Sequence, residues 1–76
     1  SGAQAMLGQL LFTGDEGFPR RPVQGLMWLT IARSNATGTG DDWIREVQEQ
    51  VFSVASESER RRGVADAQSW IARSGN

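Results

Sequence analysis

The sequence predicts an all-α fold of two consecutive antiparallel helical hairpins stacked on each other, and three observations carry that expectation. Apolar residues recur at intervals of three and four along four separate stretches. Gly, Pro, Asp and Ser punctuate the chain between those stretches, where helices need stops and starts. No alternating strand pattern competes, since the one β-rich run, Val51–Val54, lies inside a helical period. With 76 residues and 38% hydrophobic content the chain suits one small domain. A domain of that size buries only roughly 60% of its unfolded surface, so its own core leaves a thin margin.

The first helix is expected over about 2–13, with Ala3, Met6, Leu7, Leu10 and Leu11 as its apolar face and Gln4 and Gln9 outside it. Gly14 stands where a left-handed C-cap belongs, and Asp15, Glu16, Gly17 and Pro19 make a loop. Pro22 opens a second helix, about 22–33, because its fixed φ suits the first helical position and its missing N–H has no partner there anyway. Val23, Leu26, Met27, Trp28, Leu29, Ile31 and Ala32 make that helix apolar nearly all round, which places it at the centre of the core. Residues 34–40, SNATGTG, read as a flexible loop in which Thr39 or Gly40 caps the next helix. Asp41 and Asp42 favour the start of that third helix, about 41–55, carried by Trp43, Ile44, Val47, Val51 and Val54. Ser56 and Glu59 form a capping-box pattern that opens a fourth, about 56–73, with Val64, Ala67, Trp70 and Ile71 on one side. Gly63 weakens that helix by roughly 1 kcal/mol relative to Ala and could break it.

Composition excludes several kinds of chemistry. Without Cys or His the chain offers no zinc or soft-metal site and no thiolate or imidazole catalyst. Eight basic against nine acidic residues leave a net charge of −1, too little field to gather nucleic acid. The longest uncharged stretches, 1–13 and 22–32, fall short of the ~20 apolar residues of a membrane span. All eight basic residues are Arg, a bias that suggests a GC-rich bacterial source.

Ala3, Leu7-Gly8, Leu11, Gly14, Gly17-Phe18-Pro19, Gly25, Trp28-Leu29 and Ala32 together resemble one copy of the Sel-one-like repeat (SLR). That repeat is a helix-turn-helix solenoid unit related to the tetratricopeptide repeat. The resemblance covers about 30 residues, with Leu11 in place of the usual aromatic, Arg21 where an acid is typical and Gly25 where Ala is typical. Val64 to Trp70 similarly resembles the Ala-rich closing helix of such arrays. The resemblance implies a repeat hairpin over 1–33, the loop 34–40 and a divergent capping hairpin over 41–76. Such a chain is either the C-terminal piece of an array or a small protein that keeps one repeat and its cap. In a bacterium the same resemblance leans towards the periplasm or an envelope-associated complex.

A solenoid unit cannot bury its apolar face alone, so one unit and a cap should leave an oily flank. The expected function is protein–protein interaction, as an adaptor or accessory subunit of a larger multi-subunit assembly, without catalytic residues, cofactor or metal. The alternative is a purely structural supernumerary subunit or solenoid cap; a cation-binding or enzymatic module around Asp41 and Asp42 is a more distant third. Partner contacts are expected from Gln4, Met6, Leu10 and Phe12 on the first helix, because first helices tend to line the concave face of a solenoid. Phe18, Arg20 and Arg21 join them, because loops carry recognition. The other candidates read as structure. Trp28, Trp43 and Trp70 lie on apolar helix faces, and Arg60-Arg61-Arg62 are laced by Glu57 and Asp66 at i,i+4 spacing. Gly38-Thr39-Gly40 lacks the Lys and the preceding strand of a phosphate loop.

Overall fold

The computed structural model describes residues 2–15, 17, 19–36 and 39–74. Four α-helices run in order: α1 Gly2–Thr13, α2 Pro22–Asn35, α3 Asp42–Val54 and α4 Glu57–Arg73, with a short 3-10 turn at Thr39–Asp41. The described residues hold no β-strand, and the fold is all-α.

The ends of the helices reflect local chemistry. Gly14 takes φ 77°, the left-handed region open to glycine, and its N–H donates to the Leu10 carbonyl at 2.8 Å. Pro22 stands at the start of α2. The helix runs two residues beyond the expected Arg33, and its last turn includes the Ser34 hydroxyl donating to Ile31 O at 2.9 Å. Asp41, rather than Thr39 or Gly40, occupies the N-cap of α3, without a side-chain hydrogen bond. The Ser56 capping box is complete: Ser56 Oγ accepts from the Glu59 N–H at 3.1 Å, and Glu59 Oε1 accepts from the Ser56 N–H at 3.0 Å.

The second helix is the centre. It packs most extensively on α1 and α4, with α3 closing the end next to the start of α1. Leu26, Leu29 and Ile31 are fully buried, as is Ile44 of α3. Thr30, set among them, satisfies its hydroxyl on Leu26 O at 2.8 Å.

Glycine lets α1 and α4 each come close to α2. A Cβ on Gly8 would lie 2.8 Å from Gly25 O and 2.9 Å from Leu29 Cγ, and one on Gly25 would lie 2.7 Å from Gly8 O. On the other side of α2, a Cβ on Gly63 would lie 2.6 Å from Leu26 Cβ. The residue that threatened to break α4 is therefore what seats it, and the helix runs through it unbroken. Contacts pair Gly8 with both Gly25 and Leu29, and Phe12 with Gly25, so α1 and α2 are antiparallel. Gly63 meets Leu26 and Trp70 meets Trp28, so α2 and α4 advance in the same sense.

Candidate protein-docking surface

The helical period places the residues of α1 on two apolar faces. Ala5, Gly8, Leu11 and Phe12 are buried against the rest of the chain. Ala3, Met6, Leu7 and Leu10 centre on a direction roughly 180° away at 100° per residue. Met6 is 66% exposed and Leu7 38%; Ala3 is exposed and Leu10 partly so. No ionisable side chain lies anywhere between Gly2 and Thr13. The open stripe is therefore apolar, uncharged and about two turns long.

The apolar face expected of α1 is thus split between core and surface. The sequence assigns α1 one apolar face of Ala3, Met6, Leu7, Leu10 and Leu11; the structure divides it, burying Leu11 with Ala5, Gly8 and Phe12 and leaving the other four on the outer side. The reason is distance: only the Gly8 side permits the near contact with Gly25, and the helix face with the closest approach to α2 buries most.

The candidate contacts divide accordingly. Met6 and Leu10 lie on the open stripe. Gln4 stands at its edge, half-buried, with Oε1 enclosed and without a hydrogen-bond partner. Phe12 is a correction: at 5% exposure it belongs to the core cluster and presents nothing to a partner. Arg20 is exposed but engaged, its Nε donating to Phe12 O at 2.9 Å and its guanidinium 4.8 Å from the centre of the Phe12 ring. It closes the C-terminal end of α1. The Arg21 N–H donates to Leu11 O at 2.7 Å, while its side chain is exposed at the N-cap of α2. Phe18 lies outside the described residues.

Trp28 and Trp70 meet edge to face, centroids 5.6 Å apart, and seal α2 against α4. Trp43 keeps 39% of its surface exposed beside Gly2. The sequence placed Leu7, Trp43, Val54 and Ile71 on the apolar faces of their helices, and the structure leaves all four exposed. The signal for Leu7 was in the sequence, since Leu7 falls in the three-and-four pattern of the open stripe rather than on the Gly8 side.

The arginine triplet also divides. Arg60 Nη1 donates to Phe52 O at 3.0 Å and to Ala55 O at 2.7 Å, capping the end of α3. Arg61 pairs with Glu57 at 3.7 Å, both largely exposed. Glu57, Arg60, Arg61, Val64, Ala65 and Gln68 line a shallow groove along α4. Arg33 ties α2 to α3 through Gln48 Oε1 and, at 3.7 Å, Glu49. Among the described residues no three acidic side chains gather as a metal site, and no helix is long and apolar enough to cross a membrane.

The chain is similar to the exopolysaccharide production negative regulator of Rhizobium leguminosarum bv. viciae, 39% identical over 64 residues, which are 84% of this chain and 22% of that protein. It is also similar to the exopolysaccharide production negative regulator of Rhizobium meliloti (strain 1021), 31% identical over 68 residues, 90% of this chain and 24% of that protein. The chain thus spans about a quarter of the length of the curated relatives it matches. No family model matches the sequence, and no solved structure matches it.

Proposed function

We propose that this chain is a non-enzymatic interaction module of a regulator of exopolysaccharide production, and that it holds another polypeptide layer on the open face of α1. The observation that carries the reading is a helix with apolar residues on opposite faces, one buried and the other partly uncovered, with Met6 the most open. A helix of that kind is suited to lie between two layers. The relatives support the regulatory part of the reading, because both are named as negative regulators and neither as an enzyme.

The same features favour an SLR-type unit. Its hairpin is antiparallel, its second helix advances with the second helix of the next pair, and Gly8 and Gly25 stand at the crossing. The outer side of α4, with Arg61, Arg62, Asp66, Gln68 and Ser69 exposed, favours an accompanying role as the polar cap of a stack.

Site-specific photocrosslinking in the native bacterium tests the proposal. A photoreactive residue at Met6 is expected to give a discrete covalent adduct, whereas one at exposed Gln24 on α2 is expected to give little. Equal yields from the two positions would overturn the assignment of the surface. In the same strain, Met6→Asp is expected to raise exopolysaccharide output if the face serves negative regulation. Unchanged output with the altered protein present at normal abundance would count against the regulatory reading.

A further inference from the structure

We draw no further inference here: the strongest candidate, the uncharged apolar stripe of Ala3, Met6, Leu7 and Leu10 on the outer side of α1, belongs to the surface already described, and nothing in the structure shows what covers it.

Discussion

Gly8→Ala is the sharpest test at the scale of single residues, because two effects of opposite sign meet there. Alanine gains up to about 1 kcal/mol of helix propensity over glycine. Its Cβ, however, would stand 2.8 Å from the backbone oxygen of Gly25, which cannot move without shifting α2. Overpacking of that kind costs roughly 1–3 kcal/mol, so the variant is expected to melt several degrees lower in a thermal denaturation. Gly2→Ala is the control, since its Cβ would make an ordinary 3.7 Å contact with Trp43 Cζ2. Gly2→Ala should leave the melting temperature level or raise it. Gln4→Leu addresses the enclosed Oε1 instead. Removing an acceptor that has no partner is expected to be neutral or stabilising by about 1 kcal/mol in urea unfolding.

Among the elements, α4 is fixed at its start by a capping box and by an arginine that serves the preceding helix. Ser56→Ala is expected to cost about 1 kcal/mol, seen as a lower urea midpoint, because it leaves the Glu59 N–H without its acceptor. Arg60→Met keeps the aliphatic stem but frees the carbonyls of Phe52 and Ala55, for an expected loss of about 1–2 kcal/mol. Arg61→Met should change stability by less than about 0.5 kcal/mol, because its partner lies at 3.7 Å on an exposed surface. Measuring Arg60→Met and Arg61→Met side by side separates a cap from a surface pair. The sequence placed both arginines on one solvated face. Spacing along α4 cannot reveal a hydrogen bond to the end of α3, because that contact depends on the turn made by Ala55 and Ser56. Elements whose signals are local were legible: Gly14 after α1, Pro22 at the start of α2, and the Ser56–Glu59 box before α4.

For the whole molecule, the chain is rounded yet open on one side. Its radius of gyration is 11.7 Å, close to the about 11.4 Å expected of a compact domain of this length. Compactness therefore coexists with a partly uncovered apolar helix face. Met6→Ser and Leu7→Ser together are expected to cost less in the isolated chain than the roughly 2–5 kcal/mol of one fully buried Leu→Ala change, with most of the loss at the half-buried Leu7. The same pair should remove most of the adduct formed from a photoreactive residue at Ala3. A large loss of stability from the pair would show that the stripe belongs to the core. What the sequence determined alone was the helical class, the four elements nearly to the residue and the central place of α2, because periodicity and caps act within a few residues of chain. The tertiary structure alone decided which side of α1 faces inward, and so why Phe12 is buried while Met6 is open. Both sides of that helix are apolar enough to serve as core. The choice between them falls to the closest backbone approach, made by Gly8 and Gly25 from different helices.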